Sequence, residues 1–158
     1  MNRQKGFSLV ELLLVVAVIV IIAAIAIPNF IQSRIRANES SAVGSMRTIY
    51  TAAVTYSVTY SDLGYPAQLI NMGGGAPCVP SSASACLIDD VLSQGIKSGY
   101  VFVWTGDGAT PSLSFTITAT PQNVGASGQR MFCVNVTGVT RFDPSGANCD
   151  PNTSQALP

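Results

Sequence analysis

The sequence predicts an α+β protein in which a long N-terminal α-helix, hydrophobic in its first half, packs on a roughly four-stranded antiparallel sheet. Three observations carry this. The first is an apolar concentration near the N-terminus: 21 of the 25 residues from Phe7 to Ile31 are apolar, against 53 of the 127 from Gln32 to Pro158. The second is a spacing of threes and fours among apolar residues after Pro28, and the third is an alternation of period two beyond residue 98.

The first element is read from its length. Leu12–Ile27 is an unbroken apolar run of 16 residues, extended by Phe7, Leu9, Val10, Phe30 and Ile31. At about 1.5 Å rise per residue, a helix of this length crosses the hydrocarbon core of a bilayer. It holds one charge, Glu11. Arg3 and Lys5 precede it; basic residues hold that end in the cytoplasm and send everything after residue 33 outward. An ordinary secretory signal, cleaved at Ala24-Ile25-Ala26, is one alternative, but such a segment has an apolar core of only about 7–15 uncharged residues. A plain uncleaved anchor is another. It leaves Glu11 unexplained, because a carboxylate at depth costs a few kcal/mol without a partner.

Past Pro28 the pattern becomes amphipathic. Ile35, Val43, Met46, Tyr50, Ala53 and Val54 recur mostly at threes and fours, with Arg34, Arg36, Glu39 and Arg47 interleaved. One helix is therefore expected from Phe7 to about Ser61, on the order of 80 Å long. Pro28 removes a backbone donor and predicts a kink, with Gly44 a weaker soft point. Thr48–Tyr60 has strand-like composition, which makes a strand the competing reading; Asp62-Leu63-Gly64-Tyr65-Pro66 ends the element in either case.

Residues 62–96 read as an elaborated loop rich in Gly, Pro and Ser, with a short helix from Cys86 to Gln94 stopped by Gly95. Its Gly73-Gly74-Gly75 run lacks the preceding strand and following Lys-Ser/Thr of a phosphate loop. Strands are expected at Gly99–Trp104, at Ser112–Thr120, at Arg130–Val136 and, beyond a Thr137-Gly138 turn, at Val139–Phe142. In the second of these Leu113, Phe115, Ile117 and Ala119 alternate with Ser and Thr, so one face is free to cover the amphipathic half of the helix.

Composition narrows the chemistry. The chain has no His, which removes the commonest general base and metal ligand and the triads built on it. Eight Lys plus Arg balance eight Asp plus Glu, and past Arg47 the only basic residues are Lys97, Arg130 and Arg141, so no broad nucleic-acid-binding surface is expected. The four cysteines contain no CxxC pair, which argues against zinc. Asp143–Asp150 lacks the ligand order of a calcium loop and reads as a polar turn. No catalytic residue, metal or cofactor is assigned.

Lys5-Gly6-Phe7-Ser8-Leu9-Val10-Glu11-Leu12 resembles the class III leader and processing site of type IV pilins and type II secretion pseudopilins, and Pro28 stands at that family's position for a helix kink. Gly125–Phe132 together with Gly138–Arg141 is similar to the C-terminal hairpin of many prepilin-like proteins. The resemblance implies a type IV pilin fold and no enzymatic activity. It implies a leader, residues 1–6, removed by a prepilin peptidase between Gly6 and Phe7, with N-methylation of Phe7. Residues 7–33 would form the transmembrane and fibre-core half of the helix, and 34–158 the globular head. The implied role is a structural subunit, held in the bacterial inner membrane as a precursor and polymerised by the pilus assembly machinery into a helical homo-oligomer on the cell surface. A pseudopilin would instead remain periplasmic. In such a filament Glu11 of an incoming subunit is expected to pair with the Phe7 amine of its neighbour.

Four cysteines in an exported chain imply two disulfides, with three connectivities open. Local pairing, Cys78 with Cys86 and Cys133 with Cys149, is expected; the second resembles the disulfide-bounded loop of many pilins and would tie Asp143–Asp150 to the sheet. That loop, without a recognisable calcium site, favours pilin over pseudopilin. A secreted or membrane-anchored binding module is the alternative from another class.

Overall fold

The computed structural model describes residues 7–157, so the expected leader, Gly6 included, lies outside the described residues. The chain divides into two compact units, Met1–Arg34 and Ile35–Pro158. One helix, α1 (Leu9–Thr59), belongs to both and continues through Pro28. Its portion in the first unit is apolar and exposed on nearly every side. With a mean hydropathy of 3.3 over 18 residues, it is long and apolar enough to cross a membrane.

In the second unit α1 buries one stripe: Ile35, Glu39, Ala42, Ser45, Met46, Ile49, Ala52, Ala53 and Tyr56. The strand-like composition of Thr48–Tyr60 is overridden there. Thr48, Thr51, Thr55 and Thr59 each donate a hydroxyl to the carbonyl four residues back, at 2.9–3.1 Å, on the solvent side. Only the helical period then puts Ile49, Ala52, Ala53 and Tyr56 together on the core side. The helix stops where Leu63 and Gly64 donate backbone N–H groups to the Tyr60 carbonyl. Gly64 takes a φ of +73°, and a Cβ at that position would run into the Ser112 backbone.

Six strands form one meander, ordered as in the sequence with every neighbouring pair antiparallel: β1 (Ile96–Lys97), β2 (Tyr100–Gly106), β3 (Phe115–Pro121), β4 (Met131–Asn135), β5 (Arg141–Asp143) and β6 (Gln155–Ala156). The four expected strands are its centre. β1 and β6 have two residues each, too few to show an alternation in sequence. β3 starts at Phe115 because the Asp107 carboxylate takes the backbone N–H groups of Leu113 and Ser114, both at 2.9 Å, and leaves Leu113 in the loop. The short helix α2 spans only Asp90–Ser93. Asp89 caps it, accepting from Leu92 N at 3.0 Å, and Cys86 has a positive φ of 59° that no helix accommodates.

The sheet's inner face interdigitates large and small side chains. Ala119 on β3 lies between its register partners Phe102 on β2 and Phe132 on β4, and all three are buried. They join Met46, Ile49 and Tyr56 of α1, and Leu69, Met72 and Leu92 of the long connection, in one cluster. Trp104 stacks on Phe115 at 4.5 Å between centroids and donates its indole N–H to the Pro66 carbonyl at 2.9 Å.

One buried position on the helix stripe is charged. Glu39 Oε1 accepts the backbone N–H groups of Gln129 and Arg130 at 2.9 and 3.0 Å, and Oε2 accepts Arg130 Nε at 2.9 Å and lies 2.8 Å from Nη2 in an ion pair. The Arg130 guanidinium also lies over the rings of Phe132 and Phe142, at 5.4 and 5.2 Å from their centroids. Just before it, Gly128 sits so close to the Tyr100 ring that no Cβ fits, and Tyr100 Oη donates to the Arg130 carbonyl at 2.9 Å. Burial by itself pushes the Glu39 carboxyl up; the Arg130 side chain and the two backbone donors outweigh it and hold the group below its ordinary value. Glu39 therefore clamps α1 to the loop entering β4.

Two stability outcomes follow for the full-length chain in detergent. Ile49→Ala removes a fully buried side chain at the helix–sheet seam and is expected to cost about 2–5 kcal/mol in denaturant unfolding. Glu39→Ala strands two backbone donors and a guanidinium, for about 2–4 kcal/mol; this is less than a fully buried pair because the Arg130 side chain is 37% exposed. Because the Glu39 pKa is lowered on folding, its contribution is complete above the unfolded value of about 4.3 and fades as pH falls through the folded value. The wild type should thus lose stability below about pH 4 more steeply than Glu39→Gln, as read from thermal midpoints against pH.

Candidate functional site

The residues singled out in the sequence fall in two places, one in each unit. In the first unit the initial helical turn begins at Ser8, whose carbonyl accepts the Leu12 N–H at 3.2 Å. Glu11 lies in that first turn, where the free N–H groups and the helix dipole favour an anion. The pattern Ser8-x-x-Glu11 also has the spacing of a capping box, a signal that a reading of the segment as purely apolar passes over. Phe7 is 82% exposed and Glu11 is exposed among exposed aliphatic side chains. At Pro28 the helix is uninterrupted, and the next residue, Asn29, donates its side-chain amide to the Ile25 carbonyl at 3.1 Å. That extra bond supplies a donor beside the position where proline removes one.

This geometry is suited to burial by association. An apolar helix surface with no partner in its own unit gains by contact with lipid or with another such helix. A carboxylate within it has no hydrogen-bond partner among the described residues, so it discriminates between contacts that supply a cation and contacts that do not.

In the second unit the cysteines are joined as Cys78–Cys86 and Cys133–Cys149, with Cα–Cα separations of 6.0 and 5.8 Å. The second bridge ties the segment after β5 to β4. Within the loop it closes, the Asp143 carboxylate accepts the Ser145 hydroxyl and the backbone N–H groups of Ala147 and Asn148 at 3.1 and 3.2 Å, which hold its pKa down at about 2. Asp107 is likewise well below the usual carboxylate range, through the Ser112 hydroxyl and then the N–H groups of Leu113, Ala109 and Ser114. Arg141 donates Nη1 to the Ser154 carbonyl at 2.6 Å, which fastens the C-terminal segment. These aspartates organise turns. Among the described residues no three His, Cys, Asp or Glu side chains stand together as a metal site.

The clamp from Glu39 to Arg130 was not foreseen as a pair. Its only trace in the sequence is that Glu39 falls in line with Ile35, Ala42 and Met46 on the apolar face.

The family model described as the prokaryotic N-terminal methylation motif matches residues 1–27. The chain is 41% identical over 118 residues to the type IV major pilin protein PilA of Myxococcus xanthus, covering 61% of this chain and 54% of the relative. It is 40% identical over 63 residues to the type IV wide pilus major component PilA4 of Thermus thermophilus, with 40% and 42% of the two chains covered. With a fimbrial protein of Pseudomonas aeruginosa it shares 47% identity over 53 residues, 34% of each chain. The match thus spans about half the length of the first of these relatives and less of the others. A methylation motif opening an apolar helix, that helix running into an α+β head, and partial sequence identity to major pilins make the chain similar to type IV pilins.

Proposed function

We propose that the chain is the structural subunit of a type IV pilus-like filament. It enters the bacterial inner membrane as a prepilin, is cleaved between Gly6 and Phe7 by a prepilin peptidase and methylated on Phe7, and is polymerised by the inner-membrane assembly machinery into a surface fibre for adhesion or motility. The observation that carries this reading is the exposed apolar part of α1 with a single carboxylate, Glu11, in its first turn, within the stretch that matches the methylation motif. Hydrolysis after Gly6 leaves a cationic amine on Phe7, and Glu11 of an adjacent subunit is its natural counter-charge in a dry helix bundle. Only an axial offset of about one helical turn makes that pair, so the unpaired charge sets register as well as attraction. Pro28 gives the helix a place to bend on leaving the bilayer. The two disulfides suit an oxidising exterior.

A pseudopilin of type II secretion shares the N-terminal motif and is the second reading. The relatives named above are major pilins and a fimbrial protein, and the Cys133–Cys149 loop of this chain supports the pilin.

The first test is the intact mass and N-terminal sequence of the mature protein. The expected product starts at methylated Phe7; a start near Ile27 would make it a secreted module, and an intact Met1 an anchored one. The second is Glu11→Ala or Glu11→Val in cells equipped with the assembly system. Processing is expected to stay near the wild-type level while sheared fibres are lost, and a normal fibre yield from either variant would sink the charge-pair account.

A further inference from the structure

The solvent side of α1 in the head carries a cleft of ≈ 480 Å³ lined by Arg36, Glu39, Ser40, Val43, Gly44, Arg47 and Arg130. Its one carboxylate is already saturated, because Glu39 holds Arg130 and two backbone N–H groups. The side chains of Arg36 and Arg47 are exposed and make neither an ion pair nor a hydrogen bond among the described residues. Three guanidiniums facing one neutralised carboxylate leave the cleft cationic.

Gly44 adds a second, independent argument. It sits inside a helix, where glycine is unfavourable, and a Cβ built on it meets nothing within 4 Å. Packing within the chain therefore does not require glycine there. What the missing side chain provides is room in the cleft for a group from outside.

The same head carries the complementary charge. Asp62 is exposed, lies in the turn just after α1 ends, and has no partner among the described residues. The C-terminal end of a helix disfavours an anion, so Asp62 is placed against its local field. A cationic cleft and an unpaired carboxylate at separate places on one subunit are what a head-to-tail contact needs, and such contacts repeat into helical arrays instead of closing as a dimer.

We infer that the cleft around Gly44 receives Asp62 of a second copy of this chain, with Arg47 as its principal cation. At about 1.5 Å rise per residue, parallel copies offset by roughly 20 Å along α1 bring Asp62 level with Arg47. This contact rests on the filament reading and defines a neighbour relation separate from the one-turn offset of Phe7 and Glu11. Buried in the fibre, the pair would act chiefly on selection of register.

The test uses full-length protein in cells with the assembly system, scored by sheared-fibre yield, with circular dichroism of the detergent-solubilised subunit as the folding control. Arg47→Asp and Asp62→Arg are each expected to lower yield at least about tenfold, and the double exchange to restore most of it. Gly44→Leu should leave the subunit as stable as wild type or more so, yet reduce fibres, because it fills the cleft and keeps every charge. If Arg47→Asp assembles like wild type, or the double exchange fails to restore assembly, the contact is overturned while the filament reading stands. If the wild type itself makes no fibre, both fall.

Discussion

Burial of one stripe of α1 against the sheet is the contact on which the rest of the head depends. The sheet is a sequential meander with two-residue strands at both edges, and among the described residues its inner face is covered by α1 and the long connection. Met46, Ile49 and Tyr56 share one buried cluster with the Phe102–Ala119–Phe132 row there. Fully burying side chains of this size contributes about 1.5–3 kcal/mol each, enough for a handful of them to set the orientation of a helix that shows no helical preference in its Thr-rich last turns. The disulfides and the turn-organising aspartates act on what hangs from this seam: the loop closed by Cys78–Cys86 and the segment fastened by Cys133–Cys149.

The two glutamates of α1 show how one helix serves two environments. Glu39 is buried within its own head and has three hydrogen bonds, one of them from a guanidinium with which it also forms an ion pair. Glu11 lies on an apolar surface and has none among the described residues. A charge satisfied inside the fold adds rigidity and marks register between helix and loop; a charge left unsatisfied carries that requirement outward, to whatever covers the helix. The first holds the head together, and the second is the feature through which, on the filament reading, one subunit recognises the next.

Much of this was legible in the residues. The apolar run, the helix continuing past Pro28, the four central strands and the Lys5–Leu12 resemblance all rest on local periodicity or local motif, which are properties of short windows. Other features were not. Leu113 belongs to the alternating pattern of β3 but stays in the loop, because Asp107 captures its N–H from six residues away. Cys86 reads as the start of a helix but takes a positive φ, so the helix waits for the Asp89 cap. Thr48–Tyr60 looks like a strand, and its threonines satisfy their hydroxyls along a helix instead. In each case a hydrogen bond or a burial requirement from elsewhere outweighed a preference of a few tenths of a kcal/mol.

The sequence by itself determined that the first half of α1 is apolar all round with one charge, that the second half is one-sided, and that the chain then alternates with period two, since hydrophobic period depends only on residue order. Only the tertiary structure decided that Glu39 and Arg130, 91 positions apart, close on each other, that β1 and β6 join the sheet, and that Arg36, Arg47 and Arg130 gather around Gly44. Those are long-range pairings. Their partners are chosen by which surfaces remain to be covered once the helix lies on the sheet, and no window of sequence contains that information.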